Sequence, residues 1–265
     1  MDIPNLVWIV TGGASGLGAA VAHALHAKGG FVAVLDLKAS SDDDKAGEDR
    51  IAHFQCDVGD EESVKSALAA VKAKWAGRKW GGVVHCGGVG MAGKTVGNDG
   101  TPFSFDVFSE VHRINLLGSF LIASNVAAVL AAQRGPVPRD VSDPESVRDA
   151  GVIVLTSSVS ATEGQMGQVA YASSKAAVEG LVLPMARDLA RYGIRVMNIA
   201  PSLFSTNMGK NTSPKVRAGL LATTLHPPRF GIPDEFAQLA VGIIENGYLN
   251  GGTIRIDGGS RMAKM

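Results

Sequence analysis

The chain has 265 residues, of which 46% are hydrophobic and 19% charged, a balance that allows a large buried core. Lysine plus arginine (25) equal aspartate plus glutamate (25), so there is no basic surplus to follow a phosphate backbone and nucleic acid is disfavoured as a partner. The two cysteines, Cys56 and Cys86, lie outside any CxxC, which argues against a disulfide framework and against zinc or another metal.

In chain order, Leu6–Val10 (LVWIV) is the first predicted strand, compact and β-branched. It starts too early to leave room for a secretory signal, and Met1 to Asn5 is too short and arginine-free for a transit peptide. No stretch reaches the roughly 18 uninterrupted apolar residues of a membrane span. The expectation is a cytoplasmic or mitochondrial-matrix chain with no membrane partner.

Thr11 to Gly18 (TGGASGLG) follows that strand and opens the first predicted helix, Gly16–Lys28. Gly12 allows a sharp turn, Gly16 a close approach to a pyrophosphate and Gly18 tight packing of helix on strand. The free N–H groups at the helix start then meet phosphate. The second run, Phe31–Leu35 (FVAVL), is followed by Asp36, 18 residues after Gly18. A carboxylate there accepts hydrogen bonds from both ribose hydroxyls of an adenosine and repels a 2′-phosphate, favouring NAD over NADP. Lys38–Arg50, with Asp42 to Asp44, reads as a solvated loop.

Ile51–Gln55 (IAHFQ) is a weaker strand that runs into Cys56-Asp57-Val58. Asp57 has two readings, acceptor for an adenine amino group or cap of the helix Glu61–Trp75. The fourth strand includes Gly82–His85 and ends in Cys86-Gly87-Gly88, where glycines leave space for a flat cofactor and Cys86 reads as a small apolar filler. One long helix is predicted over Phe105–Gln133, then a polar surface excursion over Arg134–Ala150.

The fifth strand, Val152–Leu155, delivers Thr156-Ser157-Ser158 to the same sheet edge as the glycine loop. Tyr171 and Lys175 (YASSK) fall one turn apart on a helix predicted over Tyr171–Tyr192, with Pro184 expected to kink or end it. A free phenol has a pKa of about 10, and a neighbouring ammonium stabilises the phenolate. Tyr171 is therefore a candidate base for an alcohol proton, with Ser158 holding the substrate oxygen. Strands Arg195–Ile199 and Thr253–Ile256 and helix Asp234–Glu245 complete the alternation, which argues for a parallel sheet covered on both faces.

Taken together, TGGASGLG, Asp36, Asp57-Val58, Asn115 in INLLG, Ser158 and YASSK resemble the short-chain dehydrogenase/reductase family over essentially the whole chain. The resemblance implies an α/β single-domain Rossmann fold with a seven-stranded parallel sheet, assembled as a dimer or tetramer. It implies a catalytic set of Tyr171 as general base or acid, Lys175 on the nicotinamide ribose, Ser158 orienting substrate and Asn115 holding a water.

A narrower likeness, carried by EGQMGQVAYASSKAAVEG and IIENGYLNGGTIRIDGGSRM, is to the type 2 3-hydroxyacyl-CoA dehydrogenase branch. That branch is NAD-dependent, tetrameric and largely mitochondrial. It implies 3-hydroxyacyl-CoA thioesters or apolar secondary alcohols as substrates. The cofactor contacts it implies are Ser15, Leu17, Asp36, Asp57, Val58, Cys86, Tyr171, Lys175, Phe204 and Thr206, beside Gly12, Gly16, Gly18 and Gly87 of the two glycine turns.

The chain departs from the common family pattern at Cys86-Gly87-Gly88 and at Pro201-Ser202, where Asn-Ala-Gly and Pro-Gly are usual. A substrate lid is expected over about residues 204–230, with Leu220, Leu221 and Leu225 favouring an apolar substrate body, and the tail Leu249–Met262 is expected to contribute to assembly. Two alternatives remain: a carbonyl, hydroxysteroid or polyol dehydrogenase of the same family, and a structural subunit of a larger complex.

Overall fold

The computed structural model describes residues 1–38, 50–137, 149–206 and 214–262. Seven parallel strands form one sheet in the order β3-β2-β1-β4-β5-β6-β7. They are β1 Val7–Thr11, β2 Phe31–Asp36, β3 Ile51–Gln55, β4 Trp80–His85, β5 Gly151–Thr156, β6 Ile194–Pro201 and β7 Thr253–Ile256. The helices are α1 Gly16–Ala27, α2 Glu61–Lys74, α3 Phe105–His112, α4 Gly118–Arg134, α5 Val169–Leu189, α6 Pro214–Leu221 and α7 Pro233–Glu245. This is the doubly wound, single-domain Rossmann-like architecture expected. The predicted loops at 38–50 and 134–150, and residues 207–213 of the predicted lid, lie largely outside the described residues.

Alternate side chains of each central strand enter opposite cores. Val7 and Ile9 of β1 join Val64 and Leu68 of α2 and Ile122 and Val126 of α4. Trp8 and Val10 join Val21 and Leu25 of α1 and Phe236, Ile243 and Ile244 of α7. Both faces are dry, so the strands show no polar alternation. Each such side chain contributes roughly 1.5–3 kcal/mol on burial.

The buried Arg195, on β6 at the sheet end away from the glycine loop, closes α7. Its guanidinium donates to the carbonyls of Ile243 (3.0 Å), Ile244 (2.8 Å) and Leu249 (2.9 Å), and to Asp149 Oδ2 (2.8 Å). The last carbonyls of a helix have no partner within it, and here a fully bonded cation takes them.

Two elements differ from expectation and a third narrows it. The run predicted as one helix over Phe105–Gln133 is α3, a π turn Arg113–Leu117 and α4. A wider turn re-aims one side chain without breaking the helix, and Asn115 is the buried residue of that turn. Of the two outcomes expected at Pro184, ending the helix is excluded, since α5 runs on to Leu189. Both Pro184 and Gly180, whose carbonyl loses its usual donor, are exposed, so water can take the bond. Helix α6, within the predicted lid, was not foreseen as a helix.

Candidate active site

The chain winds from β1 to one edge of the sheet and from β4 to the other, so the two strands flank the topological switch point. Ligands in open α/β sheets bind off the carboxyl ends of strands at this point. The strand ends, loops and helical turns that gather there hold the residues singled out from the sequence.

The glycine loop lies against the end of β4. Gly12 has φ +63°, and a Cβ on it would stand 2.9 Å from the Gly87 nitrogen. Gly16 has φ +57° and faces the Thr206 side chain, while Gly18 packs onto the Gly12 carbonyl. Ser15 is the N-cap of α1 but its side chain makes no capping bond, and no acidic residue occupies the first turn. The positive end of that helix is thus left for an external anion, which fits a dinucleotide pyrophosphate. Leu17 turns the other way and packs on the α1/α7 core.

Asp36 ends β2, and its Oδ2 accepts from the Ala14 N–H at 3.1 Å, so the ribose-side carboxylate and the glycine loop hold each other. Asp57 follows β3. Of its two readings the cap is excluded, because Asp60 caps α2 through the Ser63 N–H at 2.6 Å. The Asp57 carboxylate instead accepts from Gly59 N (2.8 Å) and from Arg113 Nη1 (3.2 Å). Val58 beside it is buried in the core. Across the cleft, Phe204 pairs with Gly231 and its ring meets Phe236 edge-on at 6.2 Å, and the Thr206 N–H donates to the Phe204 carbonyl at 2.9 Å.

Four further side chains converge between the ends of β4 and β5. Asn115 Oδ1 accepts from Val89 N (2.9 Å), and its Nδ2 donates to Val89 O (3.0 Å) and to Ser174 Oγ (3.0 Å). Lys175, one turn beyond Tyr171, is buried; its Nζ donates to the Thr156 carbonyl at 2.8 Å and lies 5.8 Å from the Tyr171 ring centroid. The Ser158 hydroxyl accepts from Ser160 N at 3.1 Å and faces the Tyr171 phenol.

The protonation states follow burial. Desolvation pushes the Lys175 amine down to about 8, with the Cys86 thiol pulling slightly the other way. Burial pushes the Tyr171 phenol above its ordinary value, and the Ser158 hydroxyl, a hydrogen-bond partner, draws it back. This corrects the expectation of a phenol acidified by its lysine neighbour. Removal from water dominates in the protein alone, and the amine's hydrogen bond goes to the Thr156 carbonyl. Cys86 is pushed up to about 12 by burial, which leaves it an un-ionised filler as expected.

Sequence reading missed Thr11 and His85. The two are register partners at the ends of β1 and β4. Thr11 Oγ1 accepts from Gly87 N at 3.1 Å and pairs with His85 Nδ1 at 2.7 Å, tying the two glycine turns together. Burial pushes His85 down to about 3, with Lys175 acting in the same direction, so it is a neutral donor–acceptor here. The available signal was a polar residue at the end of each of two wholly apolar strands. Arg113 was missed as well, since a cation in a helical pattern carries no mark of its partner.

A model of the short chain dehydrogenase family matches residues 6–217. The chain is 40% identical over 264 residues to 3-hydroxyacyl-CoA dehydrogenase type-2 of Homo sapiens, covering 98% of this chain and 97% of that protein. It is 41% identical over 263 residues to the protein of the same name in Drosophila melanogaster, covering 98% and 99%. The crystal structure of 3-hydroxyacyl-CoA dehydrogenase type-2 from Mycobacterium avium superposes with a TM-score of 0.87 at 36% identity, covering 98% of each chain.

Proposed function

The chain belongs to the short-chain dehydrogenase family, and from that membership we propose that this oxidoreductase interconverts 3-hydroxyacyl-CoA and 3-ketoacyl-CoA thioesters with NAD. The observation that carries the proposal is the meeting of Tyr171, Ser158, Lys175 and Asn115 beside the glycine loop.

The nicotinamide dinucleotide, when bound, supplies the carbon that takes or returns the hydride. Gly12, Gly16, Gly18 and the N-terminus of α1, with the backbone of Ser15 and Leu17, would hold its pyrophosphate; Asp36 would take the adenosine ribose, and the Asp57 carboxylate with the Val58 backbone the adenine. Gly87 and Cys86 form the floor, and Phe204 and Thr206 close the nicotinamide end. NAD is preferred to NADP because the Asp36 carboxylate repels a 2′-phosphate.

In oxidation Tyr171 acts as the phenolate, accepting the proton of the substrate hydroxyl while Ser158 holds its oxygen; burial holds the phenol neutral in the protein alone, and the positive charge of the oxidised dinucleotide, when bound, would favour the ionised form. Lys175 supplies positive charge one turn away and binds the nicotinamide ribose. Asn115, fixed by three hydrogen bonds, anchors a water that continues the proton path.

The substrate class is supported by the names of the similar proteins and by an open groove of about 520 Å³ beside the first turn of α5, which carries Tyr171. Val96, Met166 and Val169 offer it apolar surface and Lys94 a cation, a lining suited to an acyl chain with an anionic carrier. A homotetramer, with the Leu249–Met262 tail in its interfaces, is part of the proposal and is checked by light scattering.

The test is a steady-state screen with NAD against 3-hydroxybutyryl-CoA, longer 3-hydroxyacyl thioesters, hydroxysteroids and polyols, repeated with Tyr171→Phe. Thioesters turned over best, with activity lost in Tyr171→Phe, is the expected result. Preference for a polyol would overturn the substrate class, and full activity in Tyr171→Phe would overturn the assigned base.

A further inference from the structure

In the Asp57–Arg113–Glu110 cluster only Asp57 has been given a part above, as a contact for the adenine; Arg113 and Glu110 have none. Arg113 Nε and Nη2 donate to the two oxygens of Glu110 at 2.7 and 2.8 Å, which immobilises the guanidinium plane. Its remaining arm, Nη1, donates to Asp57 Oδ2 at 3.2 Å. A Cβ at Gly59 would strike that same Nη1, so the loop after β3 is packed directly onto Arg113. Asp57 Oδ1 is held from the other side by Gly59 N at 2.8 Å.

Each carboxylate oxygen has two lone-pair sites, and one on each is now taken. The other two stay available on a side chain that is 34% exposed. An ion pair this exposed adds little to stability, so its consequence is orientation.

Building on the dinucleotide site proposed above, we infer that Arg113 is a positioning residue for recognition of the dinucleotide base. It holds Asp57 to accept the exocyclic amino group of adenine. The same device makes the chain discriminate against hypoxanthine, whose carbonyl oxygen would face the fixed carboxylate. Because Arg113 belongs to the π turn that aims Asn115 inward, one short segment serves both ends of the cleft.

The experiment measures equilibrium binding of NAD and of nicotinamide hypoxanthine dinucleotide to the full chain and to its Arg113→Met, Arg113→Lys, Glu110→Gln and Asp57→Ala variants. The unaltered chain is expected to favour NAD by about tenfold, the worth of one charge-assisted hydrogen bond. Arg113→Met brings the ratio near one by weakening NAD alone; Arg113→Lys keeps part of the preference, and Glu110→Gln narrows it without touching Asp57. A general loosening of structure would weaken both dinucleotides and leave the ratio in place, and that result overturns the inference. So does an unchanged ratio in Arg113→Met when Asp57→Ala abolishes it. Equal binding of both by the unaltered chain overturns the base-recognition role while leaving the dinucleotide site standing, and binding of neither overturns both readings.

Discussion

Lys175 and Arg113 stand near opposite ends of one cleft and are held in opposite ways. Lys175 is 5% exposed and its amine meets a backbone carbonyl and the face of the Tyr171 ring, with no carboxylate hydrogen-bonded to it among the described residues. Arg113 is about a third exposed and meets two carboxylates. Burial has moved the lysine to about 8, whereas its carboxylate partners hold the arginine more firmly charged. A buried, unpaired cation costs stability and is available for chemistry. A paired, hydrated one contributes almost nothing to either and serves geometry.

The largest effect belongs to the buried end. Tyr171→Phe removes the proton acceptor and is expected to lower kcat by about 10²–10⁴, with dinucleotide binding and the unfolding midpoint nearly unchanged. A kcat within a factor of a few of the original would break the contrast at its source.

Lys175→Met sharpens it. Removing a charge whose burial is unfavourable should stabilise the chain without dinucleotide by about 1–3 kcal/mol near pH 7 while abolishing turnover. The pH dependence carries the sign. Lys175 titrates near 8 in the fold and at 10.5 in the unfolded chain, so above pH 8 the unfolded chain binds more protons at this group and its contribution to stability rises with pH. The net rise is confined to about pH 8–9, because above it the Cys86 and Cys56 thiols, raised by burial to about 12 and about 11, ionise first in the unfolded chain and draw stability down, and the raised Tyr171 phenol adds to the fall near pH 10. Denaturant titrations across this range should show the rise in the original chain and not in Lys175→Met.

The exposed end yields smaller changes. Asp36→Ala is expected to weaken NAD by about tenfold and narrow its lead over NADP, read from kcat/KM with each dinucleotide. Arg113→Met should alter unfolding free energy by less than about 1 kcal/mol, and a larger loss would mean that the pair supports the fold itself.

Much of this site was legible before any coordinates. Gly12, Asp36, Ser158, Tyr171 and Lys175 fell where strand ends and helix starts were expected, because strand–loop–helix punctuation is written in local composition. What local composition cannot encode is the partner. Thr11 and His85 are 74 residues apart and Arg113 and Asp57 are 56 apart, and only pairing of β1 with β4 and packing of the π turn on the β3 loop join them. The π turn was invisible for a related reason: Arg113–Leu117 has ordinary helical composition, and the extra residue in the turn answers to what Asn115 must reach.

The protonation pattern was misjudged on the same ground. Spacing of four residues on a helix placed Tyr171 and Lys175 on one face, and that placement holds, but their ionisation depends on how much protein surrounds them. By itself the chain determined its fold class, its seven strands and the residue types lining the cleft, since those follow from apolar runs and glycine turns within a few residues of each other. Only the tertiary structure decided which charges are buried and which are paired, because desolvation and ion pairing are properties of neighbours that the chain brings together from far apart.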